Sequence, residues 1–389
     1  MNHRDGAILR VLSIQSNVLG NRTYCESIRQ YFTQFKDVNL TACWYDDGRT
    51  FADWKICKLA HLSAAMLRNG PDLWGARNVW SGGRMGTRVA RRELAEQRYD
   101  VLHFHTQVLA FGASDLMRKI PTIVSCDTTA YHEARDTTVQ HPPAKPNIAM
   151  ERKVFHAATH IVTLSEWARG SVIAEHGIGE DKVTAILPGA RLDTFADPLF
   201  APHDRLRILF VGGDFTRKGG WDLLEVFTQR FADRAELHLV TQHPVESTAP
   251  NVFIHRGISA YSPQWHEQFR NADVFAMPTY SDCIPLVFQE AAGYGLALLG
   301  TSVGAIPEMI FAGENGFLIE PGDRDALAEK LRVFADNRSE LLRMRRRSRE
   351  IALERFDAAK NFRTLADLFR KVSGAPLESG ASGSPPCRS

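Results

Sequence analysis

Two carboxylates separated by seven residues, Asp282 and Glu290, lie in the stretch Ala272-Asp273-Val274-Phe275-Ala276-Met277-Pro278-Thr279-Tyr280-Ser281-Asp282-Cys283-Ile284-Pro285-Leu286-Val287-Phe288-Gln289-Glu290. An ionised carboxylate accepts hydrogen bonds from vicinal hydroxyls, so the pair suits the hydroxyls of a sugar and of a ribose. The apolar run before Pro278 reads as a buried strand, and Pro285 fits the first turn of a helix. Asp282 then stands in the connecting loop and Glu290 one turn into the helix. Free amides of Leu286, Val287 and Phe288 at that helix start can donate to a phosphate, whose charge the helix dipole favours. The same residues also fit a simpler account, in which Asp282 caps a turn and Glu290 is a surface charge.

A second group of candidates lies in Ile208-Leu209-Phe210-Val211-Gly212-Gly213-Asp214-Phe215-Thr216-Arg217-Lys218-Gly219-Gly220, an apolar strand running into a glycine-containing loop. Glycine lets a backbone approach a ligand, and the adjacent Arg217 and Lys218 can neutralise a diphosphate. The spacing is neither a Walker loop nor a G-x-G-x-x-G fingerprint, and a plain turn with a solvated Arg-Lys pair fits equally well. In the first half, Asn17-Val18-Leu19-Gly20-Asn21-Arg22 holds the corresponding turn. Gly20 there either opens a helix start to a ligand or simply ends the turn.

These segments need a scaffold that brings strand ends to one edge. Short apolar runs alternate with longer helical segments, the pattern of parallel sheets covered by helices on both faces. Strands are expected at 8–14, 39–44, 100–104, 121–126, 160–164 and 183–187, then at 206–212, 236–241, 252–254, 273–277 and 297–300. Helices are expected near 21–35, 52–68, 107–119, 146–157 and 166–175, then near 219–232, 263–271, 286–295, 304–311 and 323–336. The fold class is α/β with two doubly wound halves, whose ligands collect at the carboxyl edges of the strands. At roughly 150 residues per domain, 389 residues agree with two domains, and Pro, Gly and charge at 187–204 mark the linker.

With 47 Lys and Arg against 45 Asp and Glu, the net charge is +2. That field is too small to grip a polyanion, so nucleic acid is not an expected partner. Six cysteines form no close pair and no metal-type spacing, which points to reduced thiols, a cytoplasmic setting and no structural zinc. The run Ala7–Ile14 is too short for a signal segment, and no apolar stretch approaches the ~20 residues of a membrane-spanning helix. Seven arginines and three glutamates from Arg338 to Arg355 fall at helical spacing and read as a solvated face. Arg84, Arg88, Arg91, Arg92 and Arg98 accompany Gly82, Gly83 and Gly86, which predicts a mobile loop ahead of a basic helix. That helix reads either as solvated or as a peripheral contact for anionic headgroups at the inner face of a membrane.

Further motifs follow in order: Tyr99-Asp100-Val101-Leu102-His103-Phe104-His105-Thr106, then Leu187-Pro188-Gly189-Ala190-Arg191-Leu192-Asp193-Thr194-Phe195. Gly295-Leu296-Ala297-Leu298-Leu299-Gly300-Thr301, Gly304-Ala305-Ile306-Pro307-Glu308 and Asn315-Gly316-Phe317-Leu318 complete the series. In this order they resemble, over nearly the whole chain, the retaining glycosyltransferases of family 4 (glycosyl transferases group 1). The resemblance implies the GT-B architecture, two Rossmann-like doubly wound parallel-sheet domains facing a cleft. An acceptor-binding domain would span 1–195 and a nucleotide-sugar donor domain 196–355. A C-terminal helix over 356–372 would pack back toward the first domain, and the Gly, Ser and Pro-rich tail 373–389 is expected to be disordered.

The resemblance further implies a UDP-, GDP- or ADP-sugar donor, a glycan, lipid-linked or small-molecule acceptor, and no metal or other cofactor. The family's paired glutamates fall on Asp282, toward the donor sugar, and Glu290, toward the ribose, and Lys218 matches its diphosphate lysine. Three departures stand out. The first glutamate is Asp282, one methylene shorter. The family's arginine after the strand's glycine is Gly213 here, which leaves Arg217 as the candidate for its phosphate contact. The family's histidine after the fourth strand aligns with Asp127, with His132 five residues on, and either could face the sugar. Retention would rest on leaving-group stabilisation by Arg217, Lys218 and the amides after Pro285, in a front-face attack without a covalent nucleophile. Two other readings share these residues: a non-catalytic nucleotide-sugar-binding homologue, and a sugar-nucleotide epimerase of the same fold. His103 and His105 point to one face of their strand, Cys283 reads as a small packed residue, and Trp44, Trp54, Trp74 and Trp80 read as packing or as an acceptor groove.

Overall fold

The computed structural model describes residues 8–18, 20–53, 55, 73–135, 145–198, 200 and 203–374; of the helices beginning at 73 and 145, side chains are described from 80 and 147. The first sheet holds β1 (Leu9–Gln15), β2 (Val38–Trp44), β3 (Val101–His105), β4 (Thr122–Cys126), β5 (His160–Thr163) and β6 (Val183–Ala185), in the order β2-β1-β3-β4-β5-β6. The second holds β7 (Leu206–Val211), β8 (Ala235–Val240), β9 (Val252–His255), β10 (Val274–Met277), β11 (Ala297–Thr301) and β12 (Gly316–Ile319), in the order β12-β11-β10-β7-β8-β9. All pairings in both sheets are parallel. Helices cover both faces, so central strands such as Val274–Met277 and Ala297–Thr301 are buried along their whole length. Strand order reverses beside β1 and β3 in the first sheet and beside β7 and β10 in the second, and loops leaving such neighbours diverge to open a crevice.

Three local expectations are corrected. Gly82, Gly83 and Gly86 lie inside one continuous helix, Leu73–Glu96, rather than in a loop. Two of these glycines serve close approach: a Cβ on Gly86 would sit 2.8 Å from the Leu109 carbonyl oxygen, and one on Gly83 2.8 Å from Phe111 Cβ. The segment 304–311 forms only a short 3-10 turn, Ile306–Glu308, and the strand β12 that follows was not expected because its apolar run is four residues long. The expected helix 107–119 is a 3-10 turn, Gln107–Ala110, and a single helical turn, Ser114–Met117. The expected helix 52–68 lies largely outside the described residues.

The helix Arg338–Arg355 is not a uniformly solvated face. Arg345 is fully buried and donates to Asp273 Oδ1 at 2.7 Å and to the Gly295 carbonyl at 3.0 Å. Arg347 pairs with Glu314 at 3.1 Å, and Arg343 reaches the Gly313 carbonyl, so these arginines tie the helix to its own domain. Removing one partner of a buried pair strands the other charge, so Arg345→Ala is expected to destabilise the chain by about 3–5 kcal/mol. Urea midpoints for wild type and variant measure this, and a shift equivalent to under 1 kcal/mol would show that Asp273 finds other partners. In the first domain Arg88 pairs with Asp53 at 2.7 Å and Arg91 with Asp115 at 2.9 Å.

The helix Ala358–Ser373 lies on the first sheet, where Phe362, Leu365 and Phe369 share a buried cluster with Tyr24, Ile28 and Phe32 of the helix Gly20–Phe32. Arg370 locks it in place through Asp37 at 2.7 Å. The tail beyond Gly374 lies outside the described residues. Among the described residues no helix is long and apolar enough to cross a membrane.

Candidate active site

The loops leaving β7 and β10 are stitched together before any side chain is considered. Tyr280 N donates to the Arg217 carbonyl at 2.8 Å, and Thr279 Oγ1 reaches the same oxygen at 3.2 Å. Gly219 makes the contact affordable: its φ is +71°, and a Cβ there would lie 2.0 Å from the Pro278 carbonyl oxygen. The consequence is that Lys218 Nζ meets Asp282 Oδ2 at 2.7 Å, with the Arg217 guanidinium 3.5 Å from the same oxygen. Arg217 is itself held by the Ser281 carbonyl and by Asp214 at 3.1 Å. From the other side Gly304, at φ +53°, lies against the Asp282 carbonyl, and Ala305 N donates to the Cys283 carbonyl at 2.8 Å.

Glu290 lies in the helix Leu286–Gly293 and is buried rather than at the surface. Its Oε1 accepts from the Tyr261 hydroxyl at 2.7 Å, and the Arg191 guanidinium lies 3.4 Å over the Tyr261 ring. Burial pushes the Glu290 carboxyl up to about 7, against the pull of the Tyr261 hydrogen bond and the Arg191 charge. A carboxyl whose value rises from 4.5 on folding lets the folded chain bind more protons between those limits. Its contribution to stability is therefore full below 4.5 and lost as pH rises through about 7, a change on the order of 3 kcal/mol. Glu290→Gln is expected to flatten that slope. Unfolding midpoints of both proteins at about pH 5 and about pH 8 test it, and identical slopes would reject a raised Glu290.

The first domain supplies the facing wall. Asp127 follows β4, and burial raises its carboxyl, with the Asp282 charge adding to the rise and the amides of Asp127 and Thr128 opposing it. Burial holds the Cys283 thiol well above its usual range, with Asp127 and Asp282 adding to the effect, so it is a packed thiol and not a thiolate. His132 lies in the helix Ala130–Arg135, half-buried, its ring stacked on Trp167 with centroids 3.6 Å apart, and burial lowers its pKa. Behind this segment the buried Glu151 accepts from Ala130 N at 3.0 Å and from Gln107 Nε2 at 2.8 Å, while Gln107 also holds the Thr128 carbonyl at 3.0 Å.

The sequence candidates therefore fall into groups. Asp282, Lys218 and Arg217 touch, while Asp127 follows β4 in the first domain, its carboxyl raised mainly by burial. Leu286 and Val287 open the helix that carries Glu290, and Leu286 with Ile284 packs against the first domain's core. Gly20 and Gly213 are exposed, with no heavy atom within 4 Å of a would-be Cβ, so they join no contact in this group. His103 is buried between Ser13 and Ser125, each at 2.8 Å, and burial lowers both His103 and His105 to about 3, so both are neutral core residues. Trp44 stacks under Arg29 at 3.8 Å, Trp80 is exposed, and the side chains of Trp54 and Trp74 lie outside the described residues. Tyr261, Trp167, Glu151 and Glu308 escaped sequence reasoning; only Glu308 stood in a motif. Among the described residues no three His, Cys, Asp or Glu side chains converge as metal ligands.

Two parallel doubly wound sheets whose switch-point loops carry these residues define the GT-B class of α/β protein. The family profile described as Glycosyltransferase Family 4 matches residues 58–194, and that described as Glycosyl transferases group 1 matches 205–337. The chain belongs to this glycosyltransferase family. It is 26% identical to a D-inositol 3-phosphate glycosyltransferase of Streptomyces scabiei over 67% of this chain and 63% of that protein. Against the protein of the same name in Arthrobacter sp. it is 24% identical over 64% of this chain and 65% of the relative. The chain thus spans under two thirds of the length of these curated relatives. Its fold is similar to that of sucrose-phosphate synthase from Thermosynechococcus elongatus (TM-score 0.72, 15% identity, 94% of this chain and 99% of the other). It is similar also to HepE of Anabaena in complex with UDP-glucose (TM-score 0.66, 15% identity, 93% and 100%).

Proposed function

We propose that the chain transfers a sugar from a nucleotide-diphosphate sugar to an acceptor hydroxyl, with retention at the anomeric carbon and without a metal. The observation that carries this reading is the Lys218–Asp282 pair at 2.7 Å, backed by Arg217, where β7 adjoins β10. One partner is a cation suited to a departing diphosphate, and the other is a carboxylate suited to sugar hydroxyls. In this reading Lys218, Arg217 and the first amides of the helix at Leu286 and Val287 stabilise charge as the glycosidic bond breaks. Glu290 accepts from the ribose hydroxyls, Gly20 and Gly213 leave the donor phosphates room, and Asp127 or His132 faces the transferred sugar. The domain 196–355 holds the donor, and 1–195 receives a glycan, lipid-linked or small-molecule acceptor.

The relatives' sugar-transfer activities support this reading, and the complex of HepE with UDP-glucose makes UDP the first nucleotide to try. The deciding experiment is calorimetric binding of UDP, GDP and ADP in EDTA, followed by donor turnover with and without acceptors. Saturable binding of one nucleotide and acceptor-dependent turnover are expected. No binding would remove the donor site, and turnover of donor without any acceptor would favour epimerisation.

A further inference from the structure

We propose that Glu308 is a positioning residue that registers the two halves of the cleft and so aligns His132 with Asp282. Its carboxylate crosses from the second domain to the first. Oε2 accepts from the backbone N–H of Glu166 at 2.9 Å and Oε1 from that of Trp167 at 2.7 Å. These amides open the helix Glu166–His176, where an N–H has no partner within the helix. A carboxylate there forms charge-assisted hydrogen bonds and opposes the positive end of the helix dipole. Ser165 Oγ caps the next amide, Ala168 N, at 3.0 Å. The helix start is therefore closed by one residue of its own domain and one of the other.

Both ends of this link run into the site. On the donor side Glu308 ends the turn Ile306–Glu308, whose preceding loop carries the Gly304 and Ala305 contacts to the Asp282 and Cys283 backbone. On the facing side Trp167 stacks on His132, and the first turn of that helix is pinned through Ala130 N by Glu151. Asp282 and His132 are thus joined through Glu308 by a continuous path of short contacts. The link goes beyond the transfer reading, since it sets the arrangement of the halves whatever their substrates.

Three variants of the full chain test it: Glu308→Ala, Glu308→Gln and Glu166→Pro. Proline suits the first helical position, and Ser165, at φ −159° and ψ 160°, already has the extended backbone that a following proline requires. Glu166→Pro therefore deletes one donor to Glu308 while leaving the helix in place. The readouts are hydrogen exchange by mass spectrometry and small-angle X-ray scattering. Glu308→Ala is expected to speed exchange roughly 10-fold at 164–168 only and to enlarge the radius of gyration. Glu308→Gln, which keeps one acceptor oxygen, and Glu166→Pro, which keeps the Trp167 donor, should each fall between, and adding Glu308→Ala to Glu166→Pro should enlarge the particle only as far as Glu308→Ala does alone. UDP affinity should stay within about twofold of wild type in all three, because Glu308 contacts neither Lys218 nor Glu290. Scattering and exchange identical to wild type in Glu308→Ala would overturn the proposal, as would faster exchange spread through the whole first domain. If the wild-type chain fails to bind UDP, the donor reading falls while the scattering and exchange comparison still decides the role of Glu308.

Discussion

Asp282→Ala is expected to lower turnover of the donor by on the order of 100-fold or more, while UDP binds at least as tightly as to the wild type. The opposite signs follow from one contact. The Asp282 carboxylate now holds Lys218 at 2.7 Å, and a diphosphate must compete with it for the same ammonium. Removing the carboxylate frees the cation for the phosphates and removes the acceptor that would orient the sugar hydroxyls. Asp282→Asn keeps the size and one oxygen without the charge, so it should recover part of the turnover. Calorimetry and product formation together give the answer. Equal losses of UDP affinity and turnover would place Asp282 behind the cations, as their support, rather than facing the sugar.

Lys218→Ala is expected to weaken UDP binding by about 10–100-fold, equivalent to about 1.5–3 kcal/mol for one lost charge-assisted contact. Arg217 makes its own contribution from where Asp214 and the Ser281 carbonyl hold it, so the contact of Lys218 itself is lost. The loss is compounded by Asp282, which would face the diphosphate with only Arg217, 3.5 Å away, to balance it. Lys218→Arg should recover only part of the affinity, since the lysine stem packs on Gly212, where a Cβ would lie 2.7 Å from Lys218 Cδ. Calorimetry in EDTA checks both variants, and affinities within twofold of wild type would remove Lys218 from the phosphate site. The double variant Asp282→Ala, Lys218→Ala separates the lost contact from the exposed carboxylate.

Much of the scaffold is legible because parallel strands covered on both faces must be apolar throughout, as Val274–Met277 shows. The misreadings have the same kind of cause. Gly82, Gly83 and Gly86 look like a loop from their types alone, but Gly83 and Gly86 answer neighbours that come too close for a side chain. Arg345 sits among solvated arginines in sequence, and nothing local shows that Asp273 will meet it in the core. By its residue type alone Glu290 reads first as a surface charge and second as a ribose ligand, and only packing shows that it is buried against Tyr261.

By itself the sequence determined the alternation of strands and helices, the order of the family motifs, and the placing of Asp282 and Glu290 on one loop and its following helix. Those features depend on spacing within one element, where periodicity and turn chemistry act. The tertiary structure alone decided that Lys218 reaches Asp282, 64 residues away, and that Glu308 crosses the cleft to an amide 142 residues distant. It alone decided that burial pushes the Glu290 carboxyl upward. Ion pairing and desolvation depend on separation in space and on how much water is excluded. Both are set only by three-dimensional packing, within the second domain for Lys218 with Asp282 and for Glu290 with Tyr261, and between the domains for Glu308.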